Sequence, residues 1–198
     1  MGLDLDSQIG QTGLDDDEKD GLRITTITTH GELDEYEQLN IEKAIEWTIP
    51  KKFKTDDLLT EDFIKLLHKK MLNDVWKWAG EFRRTEKNIG VDWIQIRINL
   101  RMLLDDTRIW IANKVYPPEE IAIRFKHRLV SIHCFPNGNG RHSRIMADLI
   151  IEKIFNEPIF TWGNSTMVKA NETRQHYIKA LKQADNGNTG PLIEFARS

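Results

Sequence analysis

The chain has 198 residues, 39% of them hydrophobic and 30% charged, and its formal net charge is -3. This composition is typical of a globular protein with its own core; it excludes a disordered chain and disfavours nucleic acid or a membrane as a partner. A single cysteine excludes an internal disulfide framework, and every apolar stretch is too short or too interrupted to span a bilayer, so we expect a cytoplasmic protein.

The first part of the chain is predicted to hold an arm and a helical segment. Residues 1–23 are polar and acidic, which predicts a flexible acidic arm. The β-branched residues 24–29 predict a short strand or an extended lead-in. Apolar residues at helical spacing from Gly31 to Trp47 predict a helix, so we assign 24–54 to an N-terminal helical segment.

The rest of the chain is predicted to be mostly α-helical. Thr60 is suited to cap a helix whose apolar face runs from Phe63 to Leu72. The same periodicity predicts further helices over 100–112, 119–132, 141–155 and 171–184, and a short final turn over 191–196. Between residues 83 and 97 the helical period fades and turn formers separate β-prone residues, which predicts one small β-hairpin.

The most informative segment is residues 133–144, with the sequence HCFPNGNGRHSR. A predicted helix delivers His133 to a loop with two glycines, where backbone N–H groups can approach a ligand closely. The loop leads into a helix N-terminus, which attracts anions, and Arg141 and Arg144 are three residues apart on that helix. This pattern indicates a site for more than one phosphate with His133 beside it as a candidate general base. An ordinary turn beside structural arginines fits the same pattern.

This segment resembles the signature of Fic-domain proteins, His-x-Phe-x-(Asp/Glu)-Gly-Asn-Gly-Arg-x-x-Arg, at every fixed position except Asn137. Residues 67–83 and 177–195 are similar to other blocks of the family. The resemblance implies a mostly α, Fic-fold helical bundle with a small β-hairpin flap, and we assign it to 55–198. Residues 31–41 resemble the subgroup called mobile mystery protein B, whose members tend to be encoded beside a small helix-turn-helix protein.

The resemblance implies that the protein is an adenylyltransferase. Fic enzymes usually transfer AMP from ATP to a Ser, Thr or Tyr hydroxyl of a target protein and release pyrophosphate. His133 would be the catalytic base that takes the proton from that hydroxyl. The residues implied to hold the nucleotide are Gly138, Asn139, Gly140, Arg141, Arg144, Tyr177 and Asp185. The flap residues implied to pair with the target backbone are Ile89, Gly90, Val91 and Asp92.

Asn137 is the one departure from the signature. The family has Asp or Glu at this position, which binds the Mg²⁺ that bridges the phosphates. Asn137 keeps a carbonyl oxygen but lacks the charge that Mg²⁺ prefers. The resemblance therefore implies ATP as substrate and weakly bound Mg²⁺ or Mn²⁺, and full loss of the metal's contribution would slow transfer by roughly 10³-fold.

Three other functions remain open. One is a Fic protein that uses a different nucleotide. The Doc relatives phosphorylate their targets, but their loop lacks the second glycine of Gly-Asn-Gly, and Gly140 is present here. The last alternative is a catalytically impaired nucleotide-binding or interaction module, as one half of a toxin–antitoxin-like pair. Asn137 is the only residue that favours it.

Inhibition has a candidate in the sequence. Many Fic proteins carry (Ser/Thr)-x-x-x-Glu-(Gly/Asn), whose glutamate pairs with the second signature arginine, and residues 28–33 fit this pattern at all but the last position. Glu32 is thus an inhibitory candidate, and it equally fits the first turn of a helix, where the dipole favours an acid. An antitoxin partner could supply such a glutamate instead.

Overall fold

The computed structural model describes residues 16–163 and 170–198 as a bundle of α-helices. In chain order the helices are α1 (Asp16–Lys19), α2 (His30–Thr48), α3 (Thr55–Leu58), α4 (Glu61–Leu72), α5 (Ile96–Ala112), α6 (Pro118–Ile132), α7 (Asn139–Leu149), α8 (Ala170–Asp185) and α9 (Gly190–Arg197). A 3₁₀ turn at Trp93–Gln95 precedes α5, and a π-helical turn at Ile150–Ile154 continues α7.

The core lies where α6 packs against α5, α7 and α9, and α4 extends it toward α2. Apolar side chains at helical spacing on each of these elements are fully or almost fully buried, and removing this surface from water is the main force that holds the helices together. The largest of them include Ile64, Leu67, Met71, Leu100, Leu103, Phe125, Leu129 and Met146.

Local chemistry explains where the helices begin. Thr29 and Glu32 form a capping box at the start of α2. The side-chain oxygen of each residue accepts a hydrogen bond from the backbone N–H of the other. The Thr60 hydroxyl accepts a hydrogen bond from the backbone N–H of Phe63 at 3.0 Å, which confirms Thr60 as the predicted cap of α4. Pro118 occupies the first turn of α6. Backbone N–H groups in this turn have no partner within the helix, so the missing N–H of proline costs no hydrogen bond.

The prediction of a mostly helical protein is confirmed, whereas the predicted β-hairpin flap is not confirmed, since the described residues 83–92 form bends and irregular backbone without a strand. Their backbone groups pair with the loop that follows α6: the Arg83 N–H donates to the Cys134 carbonyl at 3.0 Å, and the Val91 N–H donates to the Ile132 carbonyl at 3.3 Å. Because these groups bond to another part of the chain, they are not available for a ladder within a hairpin.

The predicted arm differs from the structure at its C-terminal end. Residues 1–15 lie outside the described residues, but 20–23 pair with 75–77. The Arg23 N–H donates to the Val75 carbonyl at 2.8 Å and the Lys77 N–H donates to the Gly21 carbonyl at 2.8 Å. Residues 24–29, predicted as a strand or an extended lead-in, contain a turn at 25–26 and are otherwise irregular, with Thr29 extended at the start of α2.

None of the helices in residues 16–163 and 170–198 combines the length and the apolar character that crossing a membrane requires.

Candidate active site

His133 ends α6 in the left-handed conformation, with φ 57° and ψ 60°. This conformation is uncommon for a residue with a side chain, so the turn needs support from its surroundings. The His133 side chain is 4% exposed. The turn directs the chain away from the helix axis and into the loop 134–138.

The loop is closed by side chains of its own residues. The Asn139 side-chain oxygen accepts from the Phe135 N–H at 3.0 Å, and its amide nitrogen donates to the Phe135 carbonyl at 2.7 Å. The Asn137 Oδ1 accepts from the Gly138 N–H at 2.7 Å. The side chains of Asn139 and Asn137 are therefore engaged within the loop, and Asn139 can offer a phosphate only its backbone N–H.

Phe135 and His68 anchor the loop to the core. Their rings stack with a centroid separation of 3.7 Å and an interplanar angle of 10°, and both side chains are fully buried. The Gly80 N–H donates to His68 Nδ1 at 3.0 Å, so the proton of the neutral ring sits on Nε2. Nε2 lies 3.0 Å from the Asn137 carbonyl oxygen and donates to it. His68 thus holds the middle of the loop from α4.

The loop leads directly into α7, which begins without a side-chain cap. Its N-cap is Gly138, at φ 76°, where a side chain would be strained and its Cβ would lie 2.8 Å from Leu72 Cδ1. The first N–H groups of a helix lack intrahelical partners and carry the positive end of its dipole. The structure therefore places the predicted phosphate residues 138–140 at an uncapped helix N-terminus, in the same loop as His133.

Arg141 has an anionic partner on α2. Its Nη2 lies 2.5 Å from Glu37 Oε2, and the other carboxylate oxygen accepts from Trp76 Nε1 at 2.6 Å. Glu37 and Trp76 are both buried, whereas the Arg141 side chain is 36% exposed. The guanidinium is held at one end and has further N–H donors for a ligand.

Arg144 has a different environment, between aromatic rings. Its guanidinium lies 4.5 Å from the centroid of the Tyr177 ring and 5.8 Å from that of Trp162. Tyr177 is buried and its hydroxyl accepts from Lys126 Nζ, which is fully buried. Burial is the largest influence on Lys126 and the charge of Arg144 the next, and together they lower the pKa of the Lys126 ammonium well below its usual range. Tyr177 is thus a contact of Arg144.

The predicted flap residues lie over His133. A Cβ on Gly90 would come within 2.6 Å of His133 Cβ, so only glycine fits at this contact. The Val91 backbone bonds to Ile132, and the Asp92 side chain accepts from the Ile94 N–H at 2.9 Å, which caps the 3₁₀ turn. Ile89 is 49% exposed. The segment therefore covers the histidine while leaving an apolar side chain in solvent.

Two predicted site residues have partners outside the loop. The Glu32 carboxylate accepts from the N–H groups of Thr28 and Thr29 at 2.8 and 3.1 Å, which lowers its pKa. Asp185 Oδ1 lies 2.8 Å from His127 Nε2. The contacts of Glu32 are those of a helix cap, and they connect it to neither signature arginine.

The buried histidines near the loop are neutral at pH 7. Burial, followed by the positive charge of Arg83, lowers the pKa of His133 to about 4. Burial also lowers the pKa of His142 to about 4 and that of His68 well below its usual range. Burial raises the pKa of the Cys134 thiol to about 12, so this cysteine is an inert core residue rather than a nucleophile.

The residues present do not form a magnesium site. No group of three or more His, Cys, Asp or Glu residues with metal-binding geometry occurs in residues 16–163 and 170–198. Asn137 is uncharged, and its side-chain oxygen already accepts a hydrogen bond from Gly138. Mg²⁺ prefers charged oxygen ligands, so we derive no catalytic step through a protein-bound metal.

Sequence reasoning missed four residues that support the site: Glu37, His68, Arg83 and Lys126. Two of them left a signal in the sequence. Glu37 is a carboxylate on the apolar face that Leu33 and Ile41 define on α2, and His68 lies on the buried face of α4 between Ile64 and Met71. A polar residue on a buried face needs a partner, although the pattern does not say which one.

The lowered pKa of His142 predicts a loss of stability in acid. Its pKa is about 4 in the folded protein and about 6.5 in the unfolded chain, so the unfolded chain binds more protons between these values. The free energy of unfolding should therefore fall as the pH decreases from 6.5 to 4. In His142→Gln this slope should be smaller by up to about 1.4 kcal/mol per pH unit, measured by urea unfolding across that range.

The matched control for the acid experiment is His176→Gln, since the side chain of His176 is exposed on α8. It should leave the slope unchanged. Equal slopes for wild type and His142→Gln would contradict the prediction, because they would show that His142 binds protons equally well in the folded protein and in the unfolded chain.

The Glu37 contacts predict a second effect on stability. Glu37→Ala would leave the buried Trp76 N–H without its acceptor and Arg141 without its anion, so we expect a loss of about 2–4 kcal/mol in the free energy of unfolding. Glu37→Gln keeps an acceptor for Trp76 and should lose less. Chemical denaturation tests both variants, with the exposed Glu35→Ala on the same helix as the control. A loss in Glu37→Ala no larger than in Glu35→Ala would contradict this role.

Comparison with known proteins shows which proteins this chain resembles. Residues 58–151 match the sequence model of the Fic/DOC family. The chain is 24% identical to the protein adenylyltransferase Fic of Aedes aegypti, over 86% of this chain and 32% of the relative. It is also 24% identical to the protein of the same name from Nematostella vectensis, over 82% of this chain and 37% of the relative. The chain thus spans about a third of the length of these curated relatives.

Solved structures show the same fold. Fic-1 (residues 134–508) of C. elegans superposes with a TM-score of 0.68 at 21% identity, over 90% of this chain and 51% of that one. The BepC protein of Bartonella tribocorum, solved with bound AMPPNP, superposes with a TM-score of 0.66 at 17% identity, over 91% of this chain and 95% of that one. Residues 58–151 thus match the Fic/DOC family model, and the chain has the mostly helical Fic fold.

Proposed function

We propose that this protein is a nucleotidyltransferase that moves AMP from ATP to a Ser, Thr or Tyr hydroxyl of a target protein. One observation carries the proposal: a single loop joins the neutral His133 to the uncapped N-terminus of α7. The names of the curated relatives support AMP transfer. The AMPPNP bound by BepC, an analogue of ATP, supports a nucleoside triphosphate as the ligand.

In the proposed mechanism the triphosphate lies over the start of α7. Backbone N–H groups of residues 139–140 and the helix dipole attract its negative charge. Arg141 and Arg144 contact the terminal phosphates from the sides of α2 and α8, respectively. Because each arginine is held by a buried neighbour, Glu37 or Tyr177, little ordering is needed when the nucleotide binds.

The chemical step is a substitution at the α-phosphorus. His133, neutral at pH 7, accepts the proton of the target hydroxyl. The hydroxyl oxygen forms a bond to the α-phosphorus, the bond from that phosphorus to the bridging oxygen of the β-phosphate breaks, and pyrophosphate leaves with the electron pair. Residues 89–92 cover His133 and are placed to bind the target backbone next to it.

A second candidate function is a nucleotide-binding module with little or no transfer activity. It is favoured by Asn137, whose uncharged side chain bonds to its own loop. A phosphotransferase of the Doc kind is less favoured, because Gly140 completes the Gly-Asn-Gly motif.

Other sequence predictions stay predictions. These are the mobile mystery protein B subgroup, a helix-turn-helix or antitoxin partner, and a cytoplasmic location. The same applies to a base contact by Tyr177 or Asp185 and to inhibition by Glu32.

The proposal predicts labelling that depends on His133. The purified protein, incubated with a divalent cation and each nucleoside triphosphate, should gain the mass of AMP or transfer labelled AMP to a protein in a cell lysate. His133→Ala should lower the rate by about 100-fold or more. His176→Ala is the control, since its side chain is exposed on α8. ATP binding without transfer, by wild type and by the Asn137→Asp variant alike, would favour the binding module.

Asn137→Asp should raise the transfer rate by about tenfold or more at saturating Mg²⁺. The aspartate can still accept the hydrogen bond from Gly138 and adds the charge that the metal prefers. The measurement is the rate of labelling as a function of Mg²⁺ concentration, with the exposed Asn113→Asp as the control for added charge away from the loop. An unchanged rate and an unchanged Mg²⁺ dependence would show that residue 137 does not limit the reaction.

A further inference from the structure

Arg83 holds three backbone carbonyls, from two parts of the chain, from a buried position. It is 2% exposed, and each of its three guanidinium nitrogens donates to a main-chain carbonyl. Nε donates to His133 at 2.6 Å, Nη1 donates to Thr85 at 2.8 Å, and Nη2 donates to Val91. These carbonyls belong to the end of α6 and to the two ends of the segment that covers His133.

These contacts differ from those of a structural ion pair. A buried guanidinium is commonly paired with a carboxylate. Within residues 16–163 and 170–198, the ion pairs found for arginine involve Arg97, Arg108, Arg124, Arg128, Arg141 and Arg197, and Arg83 makes none. Its charge is solvated by carbonyl dipoles, so the positive field extends to the neighbouring histidine.

The same link is reinforced by the backbone of Arg83 and by Gly90, which lies within the segment. The Arg83 N–H donates to the Cys134 carbonyl, and the Val91 N–H donates to the Ile132 carbonyl. Gly90 packs against His133 Cβ and Arg83 Nη2. A Cβ added at Gly90 would lie 2.6 Å from the first of these atoms and 2.9 Å from the second. The segment 85–91 is therefore tied to the backbone on both sides of His133.

The charge of Arg83 also acts on the imidazole. Burial is the largest influence that lowers the pKa of His133 to about 4, and the charge of Arg83 is the next largest. The other charged group that faces this histidine is Lys87, whose Nζ pairs with Glu18 Oε2 at 2.6 Å. The backbone carbonyl of Val130 acts in the opposite direction.

We propose that Arg83 is a positioning residue that joins the target-binding segment 85–91 to His133 as one unit. It fixes the left-handed turn at His133 through the carbonyl of that residue, and it fixes the segment through Thr85 and Val91. A target backbone bound along this segment then presents its hydroxyl at a set distance from the imidazole. The roles given to the segment and to His133 rest on the proposed function, whereas the mechanical and electrostatic link does not.

Two variants separate the charge of Arg83 from its geometry. Arg83→Lys keeps the positive charge but cannot reach three carbonyls in the planar arrangement of a guanidinium. Arg83→Gln loses the charge and most of the contacts. The adjacent Arg84→Gln is the matched control, because Arg84 is exposed.

The first measurement needs no activity. The titration of the His133 ring, followed by NMR, should move upward by about one pH unit in Arg83→Gln and stay close to wild type in Arg83→Lys. Amide hydrogen exchange of residues 85–91 should quicken in both variants relative to the helices of the core. Arg84→Gln should change neither readout.

The second measurement uses the labelling reaction. In both Arg83 variants kcat should fall by roughly 10- to 100-fold, with a smaller change in the KM for ATP, because a displaced segment misaligns the target and the base. Unchanged His133 titration in Arg83→Gln, or exchange of 85–91 that quickens only in parallel with the whole protein, would overturn the proposal. If wild type transfers no AMP, the proposed function fails, and titration and exchange still decide whether Arg83 links the segment to His133.

Discussion

The structure depends on how a buried loop without regular secondary structure satisfies its backbone. Residues 133–138 join two core helices, and unpaired polar groups at this depth would cost free energy. Side chains provide the partners: Asn139 bonds to both backbone groups of Phe135, His68 to the carbonyl of residue 137, and Arg83 to that of His133. Each bond fixes one part of the loop, so the position of the histidine depends on all of them.

This arrangement leaves one set of backbone donors unused by side chains. His68 and Arg83 bind carbonyls of the loop and the amide side chains of Asn137 and Asn139 bond within it, while α7 begins without a side-chain cap. The unused donors lie at the positive end of a helix dipole, where an anion is stabilised. The same side chains that hold the loop together therefore leave the anion-binding end of α7 open.

The two signature arginines have unequal surroundings. Arg141 is balanced by the buried carboxylate of Glu37, which Trp76 also holds, whereas Arg144 packs on Tyr177 beside the buried Lys126. Arg144 also lies close enough to Asp148 for its positive charge to stabilise that carboxylate. Each signature arginine therefore has an acidic residue in its surroundings, which Arg141 contacts directly.

The sequence by itself determined the helical character, the cap at Thr60 and the loop from His133 to Arg144, because each depends on residues within one or two turns of one another. Tertiary structure decided the rest. Backbone groups of Arg83 and Val91, in the segment predicted to form a hairpin, bond instead to Cys134 and Ile132, which are 51 and 41 residues later. Likewise Glu32 caps α2, and it is Glu37 that reaches a signature arginine, 104 residues away. Contacts at such separations depend on how the helices pack, which local periodicity does not encode.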